Sequence, residues 1–146
     1  NGQFPETEQV DFNAQVRRTA EDMEEIYAGV DMRFELHEQG HLSVRMNPSL
    51  AASLVSNLLK NAYVHGDKGG TVSVTVAPHE LRVCNSSGGG ALDAEHIFER
   101  FYQGTKKEGS TGLGLSIVDA VCRLYGLRVG YSYINRCHCF SVHFRI

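Results

Sequence analysis

Asn57-Leu-Leu-Lys-Asn61-Ala-Tyr-Val-His65 is the stretch on which the reading of this chain turns. It closes an amphipathic run from Pro48 to His65, in which Leu50, Leu54, Val55, Leu58, Leu59 and Ala62 recur at helical spacing. Pro48 suits the first turn of a helix, and Asn47 before it suits the N-cap. Asn57 stands seven residues after Leu50 and Asn61 seven after Leu54, so both continue the inward-facing stripe. Burying an amide without a partner costs about 1–3 kcal/mol, so each of these needs something to bond. An amide oxygen is a hard, neutral ligand that suits Mg²⁺. Taken alone, the pair reads first as satisfied core or capping asparagines.

A second stretch downstream changes the weighting. In Gly109-Ser-Thr-Gly-Leu-Gly-Leu-Ser116 a glycine-rich turn runs directly into a helix marked by Leu113, Ile117, Val121 and Leu124, with Gly126 placed to end it. Glycines let the backbone come close to a ligand, and a helix N-terminus offers unpaired N–H groups and partial positive charge to an anion. No Lys-Ser or Lys-Thr follows the last glycine, so this is not a Walker loop. Together the two stretches read as the two walls of a nucleotide triphosphate site, with Mg²⁺ on one side and phosphates on the other.

Between them lie Asn85-Ser-Ser-Gly-Gly-Gly90 and Ile97-Phe98-Glu-Arg-Phe101-Tyr102. With these in place the chain resembles the catalytic ATP-binding domain of sensor histidine kinases, within the ATPase superfamily that includes gyrase and the heat-shock chaperone. Asn57 and Asn61 match the N box, Phe98 and Phe101 the F box, and Gly109, Gly112 and Gly114 the second glycine box. The match runs from about Phe12 to Ile146, in the same order. One departure stands out: where the family's first glycine box has an Asp that accepts from the adenine amino group, this chain has Asn85. An amide still accepts there but without charge assistance, a difference of roughly 1 kcal/mol.

The resemblance implies ATP and Mg²⁺ as ligands. Asn61 would coordinate the metal and Asn57 would assist, with Lys60 and His65 at the edge of the same box. Asn85, Gly88 and Gly90 would face the base; Phe98 and Tyr102 would border the nucleotide. Gly109, Thr111, Gly112, Leu113 and Gly114 would meet phosphates through the backbone, and Lys106 or Lys107, in a polar lid from about 102 to 111, would neutralise the γ-phosphate. Arg100 is a further candidate for phosphate contact. The family's acceptor is a histidine on a separate dimerising helical hairpin, and none of the seven histidines here fits that pattern. The expected partners are therefore that phosphoacceptor domain and a response regulator. The chain reads as a monomeric, cytoplasmic piece of a longer sensor, free or anchored in a membrane elsewhere. Two alternatives share these residues: a serine kinase of the same superfamily, and a nucleotide-sensing or protein-interaction module with a degenerate pocket.

Composition agrees with a single domain over 1–146. At 146 residues and 42% hydrophobic the chain can bury a core without staples, and a net charge of −3 gives no basic footprint for nucleic acid. No apolar run approaches the roughly 18 residues that would span a bilayer. Cys84, Cys122, Cys137 and Cys139 are expected to be reduced thiols; Cys137-His138-Cys139 lacks a second ligand pair for zinc.

The order of elements reads as helix, hairpin, helix, hairpin, loop, helix, hairpin. The first helix starts near Asp11 with Phe12, Val16, Met23 and Tyr27 on one face. A hairpin is predicted from Met32, Phe34 and Leu36, the turn Glu38-Gln39-Gly40, and Leu42, Val44 and Met46. A second pairs Val72, Val74 and Val76 with Leu81 and Val83 across Pro78-His79. The last strands cover about 127–134 and 138–146. The expected fold is a two-layer α/β sandwich, a mixed and mainly antiparallel sheet against three helices.

Overall fold

Alternating valines build the centre of the molecule. In the computed structural model, which describes residues 7–93, 95–98 and 114–145, Val72, Val74 and Val76 of β4 (Thr71–Ala77) are fully buried. Leu81 and Val83 of β5 (Glu80–Ser86) face the same way, as period-2 alternation requires. β4 and β5 form the expected antiparallel hairpin, with Val74 opposite Val83. The remaining strands are β2 (Arg33–Glu38), β6 (Arg128–Ile134) and β7 (Cys137–His143), and the order across the sheet is β2-β4-β5-β7-β6. Among the described strands only β2 with β4 is parallel. This is the mixed, mainly antiparallel sheet that the sequence predicts, with helices on one face.

Among the described residues, three helices cover the buried face. α1 (Phe12–Ile26) is capped by the Asp11 carboxylate, which accepts from Ala14 N–H. α2 (Pro48–His65) has the predicted bounds: Asn47 caps it by accepting from Leu50 N–H at 3.0 Å, and Pro48 occupies the first turn. Leu54, Val55, Leu58, Leu59 and Ala62 of α2 are all buried. α3 (Gly114–Tyr125) buries Val118, Val121 and Cys122, and ends at Gly126, whose φ of 68° only a residue without Cβ adopts easily. No helix among the described residues is long and apolar enough to cross a membrane.

The first predicted hairpin is corrected. β2 lies parallel to β4 in the main sheet, whereas β3 (Ser43–Met46) pairs with β1 (Glu8–Asp11) in a separate antiparallel ribbon. The cause is Asn13 of α1, 4% exposed, which holds the intervening residues to the helix. Its Nδ2 donates to Glu38 Oε1 at 2.8 Å and to the Gly40 carbonyl at 2.9 Å, and its Oδ1 accepts from Leu42 N–H at 2.9 Å. Arg17 adds an ion pair to Glu38 at 3.1 Å. The Arg17 guanidinium and the Asn13 amide hold the Glu38 carboxyl below its usual range. Gly40 is also pressed against Pro78, where a Cβ would lie 2.6 Å from the ring.

The expectation of four reduced thiols is corrected too. Cys84 and Cys139 face each other across β5 and β7 with Cα atoms 4.1 Å apart, and their sulfurs are bonded. Cys122 and Cys137 remain thiols. Burial, with Asp119 nearby, pushes the Cys122 thiol up to about 12, as expected of an inert core residue.

Asn13→Ala would leave the buried Leu42 N–H without an acceptor, and it is expected to cost about 1–3 kcal/mol of stability in urea unfolding. An unchanged midpoint would show that the segment holds its place without Asn13.

Candidate functional site

Two contacts fix where α3 lies on α2. At one end, the backbone N–H of Asn47 donates to the Tyr125 hydroxyl at 3.0 Å. At the other, a Cβ placed on Gly114 would lie 3.4 Å from Asn57 Oδ1 and 4.0 Å from the Asn57 carbonyl. Ten residues of α2 separate the two points, about 15 Å at helical rise, and the eleven-residue step along α3 spans about 17 Å. The helices therefore run antiparallel, and the first residue of α3 meets the asparagine edge of α2.

The orientation of Asn57 follows from its own helix. Its Nδ2 donates to the Ser53 carbonyl at 2.8 Å and to Ser53 Oγ at 3.3 Å, which leaves Oδ1 directed toward the start of α3. Asn57 and Asn61 are half-buried, at the margin of the apolar stripe rather than within it. Among the described residues the Asn61 amide makes no hydrogen bond. Lys60 is exposed on another face of α2, and His65 is half-buried in its last turn.

Asn85 has a different setting. On β5 it is in register with Val72 on one side and His138 on the other, and all three side chains point under the helices. It is only 2% exposed, and its Nδ2 has no hydrogen-bond partner. A buried, unsatisfied amide is costly in a folded chain. A nucleobase edge carries the donors and acceptors that would complete it.

The segment after Asn85 is held by groups that sequence reasoning did not single out. Asp67, just past the end of α2, accepts from Gly88 N–H at 2.7 Å through Oδ2, and its own N–H donates to the Ser86 carbonyl. Tyr133 donates its hydroxyl proton to the Ser87 carbonyl at 2.6 Å. The Tyr131 hydroxyl accepts from Leu92 N–H and lies 2.8 Å from His138 Nδ1. Gly88 sits between Asp67 and Arg136, where a Cβ would come within 2.8 Å of the guanidinium, and Gly90 has φ 88°. The one sequence signal for the two tyrosines was their alternation in β6, which places both on the side of β7 where His138 is buried.

Phe98 packs edge-on against Phe140, ring centroids 6.0 Å apart, and with the buried Ile97 anchors that stretch to the core. Phe101, Arg100, Tyr102, Lys106, Lys107, Gly109, Thr111, Gly112 and Leu113 lie outside the described residues. A cavity of about 430 Å³ opens elsewhere, where α1 and α2 end; Tyr27 and Tyr63 line it, stacked at 5.0 Å, with Asp31 and Lys68. None of the described candidate site residues borders it.

Comparison with known proteins places this arrangement. Residues 46–145 match the family described as Histidine kinase-, DNA gyrase B-, and HSP90-like ATPase. Sensor histidine kinase RppB of Synechocystis is 38% identical over 105 residues, covering 66% of this chain. Sensor protein QseC of Salmonella typhi is 38% identical over 108 residues, covering 71% of it. The chain spans 23% of the length of each of these relatives. Among solved structures, the mycobacterial sensor histidine kinase MprB superposes with a TM-score of 0.76 at 23% identity, over 92% of this chain and 94% of that one. The catalytic domain of histidine kinase ThkA gives 0.77 at 21%, over 95% and 96%. At these identities the structures speak to the fold alone.

Tyr131→Phe removes the acceptor for Leu92 N–H. Hydrogen exchange at Leu92 is expected to quicken about fivefold, the worth of one modest hydrogen bond. Unchanged exchange would mean that the segment is not held through Tyr131.

Proposed function

Since the chain belongs to the histidine kinase-, DNA gyrase B- and HSP90-like ATPase family, we propose that it binds ATP with Mg²⁺ and passes the γ-phosphoryl group to a histidine on a separate dimerising helical domain. The observation that carries this reading is the meeting of Asn57 Oδ1 with the first residue of α3. It joins a neutral oxygen ligand to a helix N-terminus, the two elements a metal–polyphosphate needs.

The donor set fits the ligands. Asn61, with an amide free of partners among the described residues, and Asn57, with its oxygen turned outward, are the residues that would hold Mg²⁺. When bound, the ion neutralises charge between the phosphates. The start of α3 presents backbone N–H groups and the positive end of its dipole to phosphate oxygens. Asn85 faces the base from below, on a segment that Asp67, Tyr131 and Tyr133 hold in place.

Phosphoryl transfer asks mainly for positioning and charge neutralisation. An imidazole nitrogen of the acceptor attacks the γ-phosphorus, a new N–P bond forms, the bond to the bridging β–γ oxygen breaks, and ADP leaves with that electron pair. The role of this chain is to hold the nucleotide so that its γ-phosphorus faces the incoming domain. In this reading the chain is the cytoplasmic kinase module of a sensor, and a response regulator takes the phosphoryl group from the acceptor histidine.

Calorimetry with ATP is expected to show Mg²⁺-dependent binding that Asn61→Ala weakens about tenfold or more, near 1.4 kcal/mol. A dimerisation hairpin supplied in trans is then expected to be labelled on histidine. Labelling on serine of another protein would favour the serine-kinase alternative, and binding without transfer a sensing module. No binding at millimolar ATP would overturn the reading.

A further inference from the structure

We propose that Asn85 reads the N1/C6 edge of a purine in either orientation of its amide, so that the site accepts 6-oxopurine triphosphates as well as 6-aminopurine ones; this rests on the nucleotide-site reading above. The side chain is 98% buried by its 2% exposure, sits under the helices between Val72 and His138, and leaves Nδ2 without a partner.

Two other amides of the fold, unlike Asn61, are fixed by hydrogen bonds. Asn13 has both ends bonded, Nδ2 to Glu38 and Gly40 and Oδ1 to Leu42 N–H. Asn57 has its donor end held by Ser53. Among the described residues no hydrogen bond holds either end of Asn85. Half a turn about the Cβ–Cγ bond exchanges its donor and its acceptor and leaves its shape the same.

That freedom matters because the two purine classes present opposite patterns on one edge. Facing a 6-aminopurine, Oδ1 accepts from the exocyclic N6–H and Nδ2–H donates to N1. Facing a 6-oxopurine, Nδ2–H donates to O6 and Oδ1 accepts from N1–H. Two hydrogen bonds form in each case, with the same side-chain volume. A carboxylate at this position offers acceptors only: it takes N6–H of one base or N1–H of the other and sets its second oxygen against N1 or O6, so it makes a single hydrogen bond with either. Discrimination by hydrogen bonding comes from leaving a buried group unpaired, and the amide leaves none unpaired with either base.

The test compares ATP with inosine triphosphate, by calorimetry with Mg²⁺, on the chain and on Asn85→Leu. Inosine triphosphate is the probe because its base differs from adenine at the N1/C6 edge and carries no 2-amino group. The affinities of the unaltered chain are expected to agree within about threefold, and Asn85→Leu, which nearly keeps the volume and removes both hydrogen bonds, is expected to weaken both about tenfold or more. A preference for either nucleotide above about threefold in the unaltered chain, or a variant that binds either one as tightly as the unaltered chain does, would overturn the proposal while the ATP site stands. Binding of neither nucleotide to the unaltered chain would overturn the ATP site and this proposal together. Should Asn85→Leu fail to fold, the ratio in the unaltered chain decides the matter.

Discussion

The apolar seam of α2 holds the structure in place. Leu54, Val55, Leu58, Leu59 and Ala62 leave water together, and each of the leucines and the valine contributes about 1.5–3 kcal/mol of transfer free energy. With that face committed to the core, the helix has no freedom to rotate. Its margin then presents Asn57 and Asn61 along one line, and α3, fixed by Tyr125 at one end and Gly114 at the other, starts beside that line. The candidate site is a consequence of helix packing, and the side chains that make it are the ones packing left over.

Polar accounting separates structural amides from the rest. Asn13 and Asn47 are buried and bonded: one holds the residues after β2 against α1, and the other caps α2. Both stabilise the fold by satisfying backbone groups that would otherwise be stranded. Asn85 is buried as deeply and satisfies nothing through Nδ2. A fold that spends an unsatisfied amide at the head of a well-anchored glycine segment has a reason for it outside the folded chain itself, and a ligand is the simplest such reason.

Local patterns carried α2, the β4–β5 hairpin and the end of α3, because cap, period and turn residues all agree within a few positions. Met32, Phe34, Leu36 and Leu42, Val44, Met46 show how that logic fails: the same alternation around turn residues serves a hairpin and two strands in separate sheets. What decides is Asn13, some 25 residues upstream of the turn, and no local pattern contains it. The Cys84–Cys139 bond was hidden for a similar reason, since β5 and β7 are neighbours only once α3 and β6 have crossed between them. At the site, the order of motifs was legible from the chain, and the placing of Asn57 as an inward residue was nearly so; it lies at the edge of the stripe. Asp67, Tyr131 and Tyr133 were not legible, because their role is to bond backbone groups of a segment far away in sequence.

The most direct test of the central claim, that the asparagine edge of α2 and the start of α3 enclose a nucleotide, is to map chemical shifts of backbone and side-chain amides as Mg²⁺ and a non-hydrolysable ATP analogue are added. The largest changes are predicted at the side chains of Asn57, Asn61 and Asn85 and at the backbone of Gly114. Changes confined to the cavity that Tyr27 and Tyr63 line, with those four residues unmoved, would contradict it.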